Sequence, residues 1–243
     1  FPQIKEIMFE TDTFTASEEQ VRAICNLIIK KKLKFTWSAN SRVDTIRHED
    51  TFNLMKRAGC RMLLIGAEFG TQCALNDVKK DITPKLTRDF VLGAKKAGIK
   101  VHGCFMIGAP NETRESALAT IRFAKSLPLD TVQFSGVVAY PGTEFYTWAK
   151  EKGYLVPKDW TEWVNDNYEQ ATILNYPQLS TAEMNELIDK GLKEFYFQPG
   201  KILYHLFTIR DFSDFKRKAG GFFRFLDYLN GKKKSKKGKD LPL

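Results

Sequence analysis

The sequence predicts an α/β fold, a partial (β/α) barrel followed by a helical C-terminal region. Three observations carry this prediction. Strand-like runs begin near residues 4, 33, 60, 99 and 131, a spacing of about 30 residues, the length of one βα unit. The joints between units echo one another: "KRAGCRMLLIG" and "KKAGIKVHGCFMIG" share a basic helix end, Ala-Gly, a strand and a closing Gly. The strands also mix polar residues into their apolar runs, whereas parallel strands buried on both faces read as continuous apolar stretches. Successive βαβ units imply a parallel sheet with right-handed crossovers. A barrel-like (β/α)n wall and a doubly wound sheet both fit that rhythm. Mixed polarity suits a barrel whose interior holds a ligand.

Residues 4–10, "IKEIMFE", read as the first strand. "ASEEQVRAICNLIIKKK" reads as a helix: Ser17 and Gln20 form a capping box, and Val21, Ile24, Cys25 and Ile28 recur at helical spacing. Residues 33–39, "LKFTWSA", form the next strand. A helix over 48–58 buries Phe52, Met55 and Ala58 and stops at Gly59. Strand "CRMLLIGAE" follows at 60–68. Thr83 and Pro84 open a helix as N-cap and first residue; it carries Phe90, Val91, Ala94 and Ala97 and ends at Gly98. Strand "IKVHGCFMI" covers 99–107, and a helix over 112–126 turns Leu118, Ile121 and Leu127 to one side. Strand "TVQFSGVVA", 131–139, comes last, before a short helix at 143–151.

With 243 residues, 43% of them apolar, the chain suffices for one large domain or a domain with an appendage. The net charge of +9 raises the question of an anionic partner. Much of it is a tail, because the last fourteen residues, "NGKKKSKKGKDLPL", hold six Lys against one Asp. Cys25, Cys60, Cys73 and Cys104 show no CxxC spacing and read as free thiols in a reducing cytosol. No apolar run reaches about 18 residues, so no transmembrane helix is expected. A phosphate cradle is not visible, since GxGxxG and Walker patterns are missing, and there is no Ser-His-Asp order. Of the three histidines, His48 is expected exposed at a helix start and His102 packed within a strand.

In parallel α/β folds the working face lies at the C-terminal strand ends. Those ends carry Glu10, Thr11 and Asp12; Ser38, Asn40 and Arg42; Gly66, Glu68, Gly70 and Gln72; Gly108, Pro110 and Glu112; and Tyr140, Pro141, Gly142 and Thr143. The strand starts show no such pattern. Turns use Gly, Asn, Asp and Pro for their own reasons, so any single loop is weak evidence. A charge beside apolar residues, as at Glu68 and Arg42, needs a partner. Glu68 suits a pair of vicinal hydroxyls such as a ribose, Arg42 a carboxylate, and the glycine-lined backbone at 108 and 142 an adenine.

Five stretches in order, "TDTFT", "WSANSRVD", "AGCRMLLIGAEFGTQ", "HGCFMIGAPNET" and "AYPGTEFY", resemble radical S-adenosylmethionine enzymes, closest to the subgroup with an N-terminal cobalamin-binding domain. The resemblance covers about residues 1–165. It implies a partial (β/α)6 barrel that binds S-adenosylmethionine and a [4Fe–4S] cluster, with reductive cleavage to a 5′-deoxyadenosyl radical. Carried over by position, backbone around Thr11, Asp12 and Thr13 meets the methionine amino group, and Glu68 holds the ribose hydroxyls. Arg42, Asn40 and Ser38 line the polar end, while the loop from Gly108 to Glu112 and the strand end at Ala139 and Tyr140 flank the adenine. Two departures stand out. Thr11-Asp12 replaces the family's usual Asp-Asp, and the cluster motif CxxxCxxC is absent. The resemblance therefore implies a C-terminal fragment, inactive alone, whose first visible strand is the family's second, with cluster cysteines and any cobalamin domain upstream.

Residues 166–243 are expected to be a separate helical region. "STAEMNELIDKGLKEFYF" is a helix boxed by Ser180 and Glu183, and 199–229 reads as two aromatic, basic helices. They pack on the barrel or on missing parts of the chain, or lie on anionic membrane as a cytoplasmic, peripheral contact. No nucleic-acid module is visible. The expected activity is methyl transfer, or a radical rearrangement or cyclisation, on a small hydrophobic substrate. The alternatives are a TIM-barrel lyase or aldolase, and a non-catalytic binding barrel.

Overall fold

The computed structural model describes residues 3–164, 170–207, 216 and 219–221. In chain order the elements are β1 (Glu6–Phe9), α1 (Glu18–Lys30), β2 (Thr36–Ser41), α2 (Glu49–Arg57), β3 (Cys60–Glu68), α3 (Gln72–Asp77), α4 (Pro84–Lys96) and β4 (Lys100–Ile107). There follow α5 (Arg114–Ser126), β5 (Thr131–Gly136), α6 (Glu144–Glu151), a 3₁₀ turn at Trp160–Trp163, α7 (Thr181–Tyr196) and α8 (Pro199–Phe207).

The five strands form one parallel sheet in the order β1-β2-β3-β4-β5. That order decides between the two architectures. A doubly wound sheet reverses its strand order at a switch point; here each strand is added on the same side, as in a barrel wall.

Register separates the two faces. Trp37 and Ala39 of β2, Leu63 and Ile65 of β3, Val101 and Phe105 of β4, and Val132 and Phe134 of β5 are all buried, on the side covered by helices. Trp37 is fully enclosed, and its indole N–H donates to the Ala58 carbonyl at 2.9 Å. The opposite face holds Met8, Ser38, Asn40, Leu64, Gly66, His102, Cys104, Met106, Gln133 and Ser135, most of them half-buried or exposed. The polar residues interrupting the strands thus collect on one side, as the barrel expectation requires. His102 lies there with its Nδ1 2.8 Å from the Thr131 hydroxyl.

Helix starts follow local chemistry. Thr83 accepts from the Leu86 N–H at 3.1 Å with Pro84 as first helical residue, and Thr113 and Ser116 make a reciprocal box. Ser17 accepts from the Gln20 N–H at 3.2 Å, the first half of its expected box. His48 precedes α2 without a side-chain cap. Glu18 of α1 supplies the missing acceptor, taking the N–H groups of Arg47 at 3.0 Å and His48 at 3.2 Å and the Thr51 hydroxyl at 2.5 Å.

Several boundaries differ from expectation. Ile24, Ala97 and Leu118 are only half-buried; on α5 the buried stripe is Ala117, Thr120, Ile121 and Ala124 instead. β5 stops at Gly136 because the chain then turns towards Pro141 and Gly142, although the Val137 N–H still reaches the Ile107 carbonyl at 2.9 Å. The short helix α3 was not anticipated, since it offers only Ala74 and Leu75 to the core.

The chain divides into two compact units, residues 1–192 and residues 193–243. Residues 170–192 belong with the barrel because they pack on it. Gly191 lets α7 approach Phe134, where an added Cβ would lie 3.0 Å from the ring, and the Tyr176 hydroxyl donates to the Gly108 carbonyl at 3.0 Å. The box at Ser180 and Glu183 forms as expected, with bonds of 2.9 and 3.3 Å. The second of the two expected aromatic helices and the lysine tail fall almost entirely outside the described residues.

Candidate functional site

Glu68 ends β3 with a φ of +60°. Lys32 and Lys79 share this left-handed backbone, but they directly follow helix ends, where it is common. Glu68 instead centres a three-residue turn in which the Phe69 N–H donates to the Ala67 carbonyl at 2.8 Å. A non-glycine residue held this way costs of order 1–3 kcal/mol and marks a place where the surrounding structure fixes a side chain. The turn folds the Glu68 carboxylate back over Gly66: a Cβ there would meet Oε1 at 2.4 Å. A side chain at position 66 would therefore push this carboxylate aside. The carboxylate lies on the open face, near enough to Cys104 for its charge to help burial push that thiol up to about 11.

Lys80 donates to Glu68 Oε1 at 2.8 Å, both side chains being mostly buried. Arg42 grips Asp44 with a two-pronged fork of 2.9 and 2.6 Å, which raises the guanidinium's pKa, with Asp81 and Glu68 contributing. Any carboxylate ligand of Arg42 must share it with Asp44. Asn40 donates to the Thr11 carbonyl at 2.9 Å and accepts from the Phe14 N–H at 3.0 Å, which pins the 11–14 loop to β2. Thr11 and Asp12 are exposed in that loop, Thr13 is half-buried, and Ser38 is buried at mid-strand on the open face.

The loop after β4 has a different logic. Gly108 has a φ of +110°, and a Cβ on it would lie 3.0 Å from the Met184 sulfur. Glu112, only 2% exposed, turns back and accepts from the N–H groups of Gly108 and Ala109 through Oε2. Its Oε1 is buried without a partner. Burial pushes this carboxyl up to about 7, against the opposing pull of the two N–H groups. Glu112 therefore shapes the loop from within, and what the loop offers to its open side is backbone, Pro110 and Asn111. Ala139 is fully buried, whereas Tyr140 is 60% exposed at a turn closed by Gly142 and Thr143. A cleft of about 950 Å³ opens here, lined by Met106, Pro110, Ser135, Val138, Tyr140 and Trp148.

The strand-end residues thus form two neighbouring groups. Glu68, Arg42 and Asn40 gather at the ends of β2 and β3, with Ser38 further back on the same face of β2, and the 108–112 loop and Tyr140 border the cleft at β4 and β5. Lys80 escaped the sequence reading, because a lysine in "KKD" looks like a solvated charge run.

The cysteines do not fit an iron–sulfur cluster. Cys25 and Cys60 are buried, Cys73 is exposed and Cys104 is half-buried. Burial pushes the thiols of Cys25 and Cys104 up to about 11 and that of Cys60 further. A cluster needs gathered thiolates, and no group of three metal-binding side chains occurs among the described residues.

The profile of the Radical SAM superfamily matches residues 1–124. The chain belongs to the radical SAM superfamily. The family uses S-adenosylmethionine and a [4Fe–4S] cluster, and membership replaces the reading as an ordinary TIM-barrel lyase or aldolase. An uncharacterized methyltransferase of Pyrococcus horikoshii is 33% identical over 221 residues, 91% of this chain and 47% of that protein. The anaerobic magnesium-protoporphyrin IX monomethyl ester cyclase of Rubrivivax gelatinosus is 28% identical over 123 residues, 50% of this chain and 22% of that protein. Among solved structures, the radical S-adenosylmethionine methyltransferase TsrM of Kitasatospora setae, with cobalamin and [4Fe–4S] cluster bound, superposes with a TM-score of 0.56 at 17% identity, covering 81% of this chain and 36% of that one. That likeness is one of fold. The chain spans about half the length of the first of these relatives and less of the others.

Proposed function

We propose that this chain is the S-adenosylmethionine-binding wall of a radical SAM enzyme that transfers a methyl group to, or cyclises, a small hydrophobic substrate with the help of cobalamin. The observation that carries the reading is Glu68: a carboxylate on a strained strand-end backbone, folded over Gly66 onto the open face, whose Oε2 accepts no hydrogen bond among the described residues. When bound, S-adenosylmethionine would supply the reactive sulfonium. Glu68 would orient its ribose, Asn40 and Ser38 would border its polar end, and the 108–112 loop and Tyr140 would border its adenine. Backbone from Thr11 to Thr13, held by Asn40, would face the amino group. The cluster's thiolates would come from outside the four cysteines described above. Methyltransferase and cyclase relatives support the reaction class, and the apolar lining at Met106, Val138 and Trp148 supports a hydrophobic substrate.

In the complete protein, Glu68→Gln should weaken S-adenosylmethionine binding by about 1–3 kcal/mol, the scale of a charge-assisted hydrogen bond. Calorimetric titration reads this directly, and unchanged affinity removes Glu68 from the site.

We further propose that the C-terminal unit touches an anionic membrane surface. Residues 193–243 hold thirteen Lys and Arg against five Asp and Glu, and on α8 Leu203 and Phe207 are 52% and 83% exposed. No helix among the described residues is long and apolar enough to cross a membrane, so the contact would be interfacial. The complete protein should co-sediment with phosphatidylserine vesicles, less so as salt rises. Equal recovery with phosphatidylcholine vesicles counts against it.

A further inference from the structure

Between α3 and α4 the chain crosses the open end of the sheet as a strap. Its footing is fixed: the Lys80 N–H donates to the Leu75 carbonyl at 2.9 Å, Gln72 Nε2 donates to the Ile82 carbonyl at 3.2 Å, and the Ile82 side chain is 3% exposed. From this footing adjacent lysines reach in opposite directions. Lys79 pairs with Glu144 at the start of α6, on the rim of the cleft. Lys80 turns inward over Gly66 and pairs with Glu68. The Lys79 pair is fully solvated, with side chains 78% and 85% exposed, and such pairs contribute little. The Lys80 pair is mostly buried, where an unpaired carboxylate is costly and a paired one is held in place.

We infer that Lys80 is a positioning residue for a nucleoside diol: it holds Glu68 by Oε1 so that the carboxylate's remaining acceptor sites face the two ribose hydroxyls. The inference rests on the reading of Glu68 proposed above. The chemistry allows both partners at once. An ionised carboxylate has about four acceptor sites, the ammonium occupies one, and no other hydrogen bond to Glu68 is made among the described residues. Glu68 has three side-chain torsions that the backbone turn does not fix. The ammonium supplies that restraint, and the missing Cβ of Gly66 supplies the space.

The test compares the affinity of the complete protein for S-adenosylhomocysteine and for its 2′-deoxy analogue, by equilibrium titration. The wild type should prefer the ribose form by about tenfold or more, as expected for a hydrogen bond to a charged group. Lys80→Met should reduce that preference to less than about threefold, and Lys80→Arg should restore most of it. Gly66→Ala, which displaces the carboxylate without changing any charge, should reduce it as Lys80→Met does and keeps the test informative if Lys80→Met fails to fold. A general structural role would weaken both ligands equally and leave the ratio intact. An unchanged ratio in Lys80→Met or in Gly66→Ala, with a collapsed ratio in Glu68→Gln, overturns the role of Lys80 and spares Glu68. An unchanged ratio in Glu68→Gln overturns the ribose reading itself, and this inference with it.

Discussion

Glu68, the last residue of β3, and Glu112, in the loop after β4, meet opposite fates. Glu68 is thrown onto the open face by its left-handed backbone and met there by Lys80. Glu112 is drawn under its own loop, where one oxygen holds two backbone N–H groups and the other is orphaned. In the sequence both are a carboxylate after a glycine-rich strand end, and that signal found both. It says nothing of side-chain direction, which depends on the turn at residue 68 and on Met184 and Tyr176 closing over Gly108. The orphaned oxygen has a measurable consequence. The folded-state pKa of Glu112, pushed up to about 7, lies above the ordinary value of 4.5, so the folded state binds the proton more tightly than the unfolded state. Its contribution to stability is therefore favourable below about pH 4.5, declines as pH rises and is fully lost above about pH 7. Glu112→Gln should abolish that decline. Between pH 4.5 and 7.5 the variant should gain about 2–4 kcal/mol on the wild type in urea unfolding, the size implied by the shift. Parallel pH profiles for the two proteins would show that Glu112 does not titrate as described.

The βα rhythm, the helix caps and most helix faces were legible because each rests on local chemistry: Thr83 and Pro84, Thr113, Ser180 with Glu183, and helical apolar spacing. Joints between elements were not. α2 begins at His48, a poor cap, and is completed by Glu18, 30 positions away in the chain. α3 and the strap beyond it bury too little to leave a periodic pattern. The α1–α2 joint is testable as a unit. Burial would raise the pKa of Glu18, but bonds from Thr51, Arg47 and His48 outweigh it and bring the carboxyl down to about 2. Its stabilising effect is thus present above about pH 4.5 and lost as pH falls towards 2. Glu18→Ala should cost about 1–3 kcal/mol at pH 7, because it removes an acceptor from two backbone N–H groups at a helix start. The loss should vanish near pH 2. A loss that persists undiminished at low pH would mean that packing, not charge, joins the helices.

At the scale of the whole molecule, strand order and face polarity agree. A wall of five parallel strands in chain order presents its apolar side to helices and leaves its mixed side open. The sequence could suggest this wall but not close the choice against a doubly wound sheet, since both share one period; only strand order does. The cysteines add a constraint on the complete enzyme. If the cluster's thiolates lie outside Cys25, Cys60, Cys73 and Cys104, replacing all four by Ala in the complete protein should leave the iron and sulfide content after anaerobic reconstitution unchanged. Loss of the cluster would return one of these thiols to the site. The same separation predicts that residues 1–243 alone neither assemble a stoichiometric cluster nor form 5′-deoxyadenosine. The claim on which the rest depends is that Glu68 receives the nucleoside, and a crystal structure of the complete protein with S-adenosylhomocysteine measures it most directly. The ribose hydroxyls should lie about 2.5–3.0 Å from the Glu68 carboxylate, over Gly66 and with Lys80 still on Oε1. A nucleoside seated elsewhere, such as the cleft of about 970 Å³ beside Glu18, Arg22 and His48, would contradict it.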